Sequence, residues 1–434
     1  MLRFRHVLTT GAASFAGGAL SLLLAFLAAR LLSPAENGHY AQFQLVMNLL
    51  FIALNLGVGT SSTYHLASGL WTGAEIARVN LRFFALVAVA VALLGALAVN
   101  TGEGALVAQR LQVPLKVMVL GLVGGVLLLG VNQAAAILFG AHRYDRANLL
   151  SVVRAGFPLP LVLLAGVWAG GELPVVIAHV LALVAVLAMG FWMIRPQFDD
   201  AGAARQRNLA QLLRHGGITY LANVMHFAAM RGLLFVLSYS AGAEQVGFLN
   251  LALLLLEAML LLPSAVGQLV FPQSSAKGFD RAQIEMVLRS IVYAGAVLAL
   301  LVAALGEPVI VLALGEAYRP AGQALAHLAP SIVILAVPRV LSQVLVGQGH
   351  PVPPLVAASV STLVGGLLAW WWIPRHGVIG GAWVSNAVAL LTAAIIVAAY
   401  CRVQGTTVAQ MLRPRRSDMQ SLRLRMGQLA RRRP

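Results

Sequence analysis

Between residues 40 and 62 an apolar stretch carries Gln44, Asn48, Asn55 and Ser62. Steps of four, seven and seven residues return each side chain to nearly one face of a helix. A second stretch, 246–270, repeats the device with Asn250, Glu257, Ser264 and Gln268. A third, 216–238, adds Asn223, His226 and Arg231, within an arc of about 140° by the helical repeat. Lipid-facing helices need none of these groups, so inside a membrane they mark a path or glue helices together. The chemistry on offer is recognition. Amides solvate polar, sugar-like molecules, and guanidinium pairs bidentately with phosphate without losing its proton.

An arginine at mid-helix costs about 2.5–3.5 kcal/mol on insertion scales, so Arg231 needs a partner. Glu257 is the candidate, because antiparallel neighbours joined by a hairpin bring the two residues to depths about 6 Å apart. Two readings stand. The pair pins two helices, or Glu257 holds the guanidinium in place until an anionic substrate arrives. Arg339 follows Pro338, with Gln343 one turn later, at a kink whose freed backbone groups would line a cavity. Arg30 closes the first apolar stretch and joins Arg231 and Arg339 as a third diphosphate contact, although taken alone it snorkels to the interface. Asn48, Asn55, Asn223, His226 and Gln268 complete the polar lining. His65 and His179 read as packing residues.

The elements that must position these groups are membrane spans. Hydrophobic residues make up 60% of the chain and charged residues 10%, which excludes an ordinary soluble domain. A crossing needs roughly 20 apolar residues. Spans are predicted near 8–31, 40–62, 83–100, 115–139, 152–169, 174–194, 216–238, 246–270, 290–314, 324–346, 353–373 and 379–400. The fold class is therefore all-α integral membrane protein, with about 12 helices in two pseudo-repeated six-helix lobes around a central cavity. The first span runs directly into the second with no small-residue processing site, so cleavable targeting is not expected. Cys401 is the only cysteine, which excludes a disulfide framework or a cysteine metal cluster.

The two lobes are read from a weak repeat at an offset of 209 residues. Gly38 falls on Gly247, Gly140 on Gly349 and Gly171 on Gly380. Asn48 falls on Glu257 and Asn55 on Ser264, so equivalent helices carry equivalent polar stripes facing one shared wet cavity. Residues 1–200 form the first lobe and 201–401 the second, and 402–434 is a basic tail. Repeats of this kind place substrate at their interface.

The net charge of +16 is distributed by side and does not indicate nucleic acid. With the N-terminus inside, 23 of the 30 basic residues fall on inner segments, five on outer ones, and Arg231 and Arg339 within spans. This bias places both termini in the cytoplasm. In the tail, Met419, Leu422, Met426 and Leu429 recur at helical spacing beside Arg423, Arg425 and Arg431-Arg432-Arg433. It is read either as a helix lying on anionic lipids or as a disordered topological anchor.

Catalytic signatures are sparse. The sequence has no His-Glu-x-x-His and no phosphate-binding glycine loop ending in Gly-Lys-Ser/Thr, so neither metal nor cofactor is expected, and transport would run on a gradient or on consumption of product outside. Asp199-Asp200 is the one paired carboxylate and reads as a solvated linker. A membrane-embedded glycan polymerase or transferase would have to rely on outer residues Arg110, Lys116, Glu307, Glu316 and Arg319. A non-transporting scaffold of a glycan-assembly complex would need none of the cavity residues.

Several motifs resemble a known family. Ala29-Arg30-Leu31-Leu32-Ser33-Pro34-Ala35-Glu36-Asn37-Gly38-His39-Tyr40, then Asn55-Leu56-Gly57-Val58-Gly59, resemble the first hairpin of bacterial polysaccharide (O-antigen type) flippases of the multidrug/oligosaccharidyl-lipid/polysaccharide exporter superfamily. Gly242-Ala243-Glu244-Gln245-Val246-Gly247-Phe248, Phe271-Pro272-Gln273-Ser274, Gly347-Gln348-Gly349-His350, and Ile373-Pro374 with Gly377, Gly380 and Gly381 extend the likeness over roughly residues 8–400. The resemblance implies a cationic cavity between lobes that alternate between inward- and outward-open states. It implies an undecaprenyl-diphosphate-linked oligosaccharide as substrate, moved from the cytoplasmic to the outer leaflet, and glycan-assembly enzymes as partners. The family's Asp-Arg pair of the seventh span reads Met230-Arg231 here, so only the arginine carries over and Glu257 gains interest. Drug exporters of the superfamily tend to carry an acidic residue in the first span. None is present here, which weakens cation-coupled export of small amphipathic compounds. Twelve spans rather than fourteen make the peptidoglycan-precursor flippases a weaker match.

Overall fold

Apolar periodicity too long for a soluble core forces helices that bury polar backbone internally, and the described residues are helical almost throughout. The computed structural model describes residues 4–197, 208–274 and 281–412. The side chains of Asn223, His226 and Gln268, and the linker acids Asp199 and Asp200, lie outside the described residues, as does the tail beyond Leu412 with its predicted surface helix.

The first lobe consists of α1 (Phe4–Leu31), α2 (Pro34–Asn55), α3 (Val58–Ala67), α4 (Gly73–Asn100), the short α5 (Glu103–Arg110), α6 (Leu115–Gly140), α7 (Tyr144–Gly156), α8 (Pro158–Trp168) and α9 (Glu172–Ile194). The second consists of α10 (Leu209–Ala241), α11 (Ala243–Met259), α12 (Leu261–Ser274), α13 (Arg281–Leu314), α14 (Arg319–Gly347), α15 (Val352–Gln404) and α16 (Val408–Leu412). Among the described residues, eight helices are long and apolar enough to cross a membrane, and ten candidates result if each bent pair counts as one. The 53-residue α15 merges two predicted spans across a break at Gly377, where φ is +54° and ψ is −136°. The positive-φ break therefore sits at Gly377 and not at Gly380, so the 209 offset slips by three residues in this last hairpin.

Two predicted spans are bent, and a third is interrupted, for local reasons. Leu56 and Gly57 both adopt left-handed backbone, and α2 meets α3 at 51°. Pro263 removes a donor and crowds the carbonyl four residues back, at Met259, and α11 meets α12 at 42°. Pro158 opens α8 in the same manner. Helix starts are marked as chemistry dictates. Ser33 and Thr72 each form a reciprocal capping box, with Glu36 and Glu75. That explains why Ser33-Pro34-Ala35-Glu36 sits at the head of the family-like hairpin.

The lobes meet along α2 and α11. A Cβ on Gly38 would lie 2.0 Å from the carbonyl oxygen of Ala243, and one on Gly247 would lie 2.9 Å from the Gly38 nitrogen. The two glycines related by the 209 offset thus pack on each other, and only residues without a side chain permit that approach. Ala41 and Leu45 of α2 pack in one core with Leu249, Ala252 and Leu256 of α11. At this same end, away from the start of α1, Gln42 donates to Ser238 (2.8 Å), Ser238 to the Leu111 carbonyl (2.7 Å) and Tyr318 to the Leu32 carbonyl (3.1 Å). At the opposite end the lobes touch where Gly57 meets Gly216 backbone to backbone, and Tyr220 donates to the Ala53 carbonyl at 3.2 Å. Large apolar side chains on α4 and α13 point outward, with Leu93 67% and Leu312 88% exposed, as lipid-facing helices require.

Candidate functional site

Between the two contact zones the lobes enclose a polar space. Its upper part, about 310 Å³, is lined by Gln44, Asn48, Arg154, His179, Arg231 and Asn250, among others. A contiguous part of about 560 Å³ shares Phe227 and Arg231 and adds Asn55, Thr60, Asn132, Glu257 and Arg339. Gln44, Asn48 and Asn55 of one stripe and Asn250 and Glu257 of the other line this one space. Ser62 is the exception. It lies beyond the break after Asn55, is fully buried, and donates to Asn80 of α4 at 3.1 Å. A bent helix does not keep one face, so the seven-residue spacing loses its meaning there.

Arg231 donates to both carboxylate oxygens of Glu257, at 3.1 and 3.0 Å, and to Asn250 at 3.0 Å. The bend after Met259 leaves Glu257 on the last turn of α11, facing α10. Both partners stay wet, with side chains 19% and 39% exposed, so this is a cavity-lining pair and not a sealed one. Arg339 donates to Ser264 at 3.0 Å. Pro338 does not end α14, which continues to Gly347. Asn48 gives its amide to the Gln44 carbonyl one turn back at 2.7 Å. The buried Asn55 Oδ1 has no hydrogen-bond partner among the described residues. His179 is buried against Phe43 and bonds Tyr40 at 2.7 Å, a packing role that also touches the cavity wall.

Arg30 does not join this site. It ends α1 near the lobe contact and donates to the Ala313 carbonyl of α13 at 2.5 Å. The physical reason is length: α1 carries its last residue past the cavity, so the guanidinium bonds a carbonyl of the other lobe instead of a substrate. Glu307, Glu316 and Arg319 form an exposed network among themselves, with contacts of 2.6 and 2.8 Å.

Several cavity residues escaped the sequence reading, Thr60, Asn132 and Arg154 among them. Asn132, in the middle of α6, lines the lower part of the space. Arg154 was assigned to an inner segment, yet α7 starts at Tyr144 and carries it nearly three turns inward. It is exposed to the cavity and has no hydrogen-bond or ion-pair partner among the described residues. The available signal was the capacity of Tyr144–Gly156 to begin the span early. Three cations and one carboxylate therefore line the space among the described residues. The arrangement is an anion receptor with amide walls, which suits a diphosphate bearing hydroxyl-rich groups.

Residues 27–323 match the family of polysaccharide biosynthesis proteins. No curated protein matches the chain in sequence. Among solved structures, the lipid II flippase MurJ in an inward closed conformation is similar at a TM-score of 0.71 and 13% identity, covering 93% of this chain and 89% of that one. An inward-facing multidrug resistance MATE family transporter of the MOP superfamily gives 0.68 and 15%, covering 90% and 94%. A MOP superfamily transporter from Pyrococcus furiosus, reported to have a binding pocket of reversed polarity, gives 0.58 and 16%, covering 92% and 95%. In fold, the lipid II flippase is therefore no weaker a match than the drug transporter.

Proposed function

The chain belongs to the polysaccharide biosynthesis protein family and has the multi-pass helical fold of MOP-superfamily transporters, and on that premise we propose that it flips an undecaprenyl-diphosphate-linked oligosaccharide from the cytoplasmic to the outer leaflet of the bacterial inner membrane. The observation that carries the proposal is the chamber between the lobes, where Arg154, Arg231 and Arg339 face one carboxylate, Glu257.

A diphosphate entering a low-dielectric bundle loses hydration, and guanidinium groups already fixed in the wall replace it without reorganising. Arg231 exchanges Glu257 for phosphate oxygens, so its guanidinium stays paired at each stage. Asn48, Asn55, Asn223, His226 and Gln268 contribute polar contacts to sugars. The isoprenoid tail remains in lipid throughout. Rocking of the two lobes, 1–200 and 201–401, about the α2–α11 contact then exposes the chamber to the opposite side. Both termini are cytoplasmic, and the basic tail holds anionic lipids or glycan-assembly enzymes.

Cation-coupled export of amphipathic compounds has one feature in its favour, a protonatable carboxylate in the chamber. Glu257 already gives both oxygens to Arg231, which leaves little capacity for a coupling cation. The test is to delete the gene, separate lipid-linked glycan by leaflet and measure surface polysaccharide. Finished units retained on the inner leaflet with surface polymer lost support flipping. Units that reach the outer leaflet unpolymerised point to an assembly enzyme. Raised drug sensitivity with normal surface glycan points to export.

A further inference from the structure

Beside the central space lies a third and larger cavity, of about 870 Å³, within the first lobe between α3, α6 and α7. It adjoins the central space, with which it shares wall residues. Arg154 belongs to it and to the upper part, and Thr60 and Asn132 belong to it and to the lower part. A cleft in the second lobe, between α12, α13 and α14, is by contrast apolar, lined by Met259, Leu262 and Val266 among others.

The first-lobe cavity has a distinct composition. Tyr64 lines one side, 48% exposed. Phe139, His142 and Tyr144 form the other, with His142 bonded to the Tyr144 hydroxyl at 2.9 Å and the Phe139 and Tyr144 rings 6.3 Å apart. His142 takes left-handed backbone, φ +58°, which turns the chain so that its ring lies on Tyr144. The side chains of Thr60, Asn132 and Arg154 make no hydrogen bond to any described residue. The cavity thus offers aromatic faces, an unoccupied amide, an unoccupied hydroxyl and an unpaired guanidinium at its mouth.

A pyranose ring has the complementary pattern. Its C–H groups carry slight positive charge toward the negative face of an aromatic ring, and its rim is hydroxyls that need amide and hydroxyl partners. The volume lies within the range of ligand sites. We infer that this first-lobe cavity is a saccharide site. It takes the sugars next to the diphosphate while Arg154 holds the diphosphate at the mouth. The inference rests on the flippase reading and deepens it, because it gives the sugars a defined site in the first lobe beside the chamber. A tyrosine cluster near a membrane surface also arises as an interfacial belt, and that is the competing explanation.

The test uses the purified full chain in lipid nanodiscs and two probes. One is undecaprenyl diphosphate without sugar. The other is the lipid-linked glycan pool extracted from cells lacking this gene. Wild type is expected to bind the glycan probe more tightly than the bare diphosphate. Tyr64→Ala with Tyr144→Ala should weaken only the glycan probe, by about tenfold, whereas Tyr64→Phe should not. Tyr64→Ala alone, at a half-exposed position, serves if the double variant is poorly folded, and a weaker selective loss is then expected. Arg154→Gln should weaken both probes alike. Equal affinity of wild type for the two probes, or glycan binding unchanged in the tyrosine variants, would overturn the saccharide site and leave the flippase reading standing. Wild type that binds neither probe would overturn that reading and this inference with it.

Discussion

The two walls of the chamber hold the same cation in opposite conditions. In the second lobe, Arg231 is tied to Glu257 and Asn250, and Arg339 to Ser264. In the first lobe, Arg154 faces the cavity with no partner among the described residues. A paired guanidinium is already positioned but must give up a carboxylate to take a phosphate. An unpaired one offers its full charge at once but is less fixed. The asymmetry suits a substrate with two parts, since one wall is tuned to hold and release an anion and the other is open to receive.

Arg231→Ala should break this contrast most severely. It removes a cation and leaves Glu257 unopposed, so a bare carboxylate faces the incoming diphosphate. Transport should fall by about 100-fold, the scale of lost charge-assisted hydrogen bonds compounded by repulsion, with membrane abundance unchanged. Leaflet-resolved glycan measurement and immunoblotting read the two quantities. Loss of the protein itself would make the pair a structural clamp, and full activity would remove both roles.

Arg154→Ala tests the other wall. Because no partner is stranded, the melting temperature should stay within about 2 °C while transport falls by about tenfold. A large drop in thermal stability would mean that Arg154 is bonded in a state of the protein other than this one.

Glu257→Gln converts the second wall toward the condition of the first. With the competing charge gone, affinity for undecaprenyl diphosphate should rise by about threefold, and folding stability should fall by only about 1 kcal/mol, since the pair is partly solvated. Weaker binding would show instead that Glu257 acts by aiming the guanidinium. Ser264→Ala should matter least. It removes one neutral acceptor from Arg339, costing about 1 kcal/mol, and transport should remain within about twofold of wild type.

Much of this was legible in residues alone. Steps of four and seven put Asn48 and Asn55 on one face, and a hairpin count put Arg231 level with Glu257, because a straight helix fixes depth and azimuth by arithmetic. The same arithmetic failed wherever a helix bent or began early. Ser62 lost the cavity face after the left-handed turn at Leu56-Gly57, Arg154 gained it because α7 starts at Tyr144, and Gly377 rather than Gly380 breaks the last hairpin.

Composition, span length and charge bias by themselves determined that this chain is a helical membrane protein, and the 209-residue repeat determined that it has two related halves. These properties follow from the bilayer, which accepts only apolar helices with satisfied backbones. The tertiary structure decided which of the many polar groups meet. Arg30 was sent to a carbonyl of the opposite lobe, Arg154 into the chamber, and an aromatic-lined cavity opened in the first lobe. Those outcomes depend on how two twisted bundles cross at Gly38 and Gly247, and no local pattern encodes a crossing.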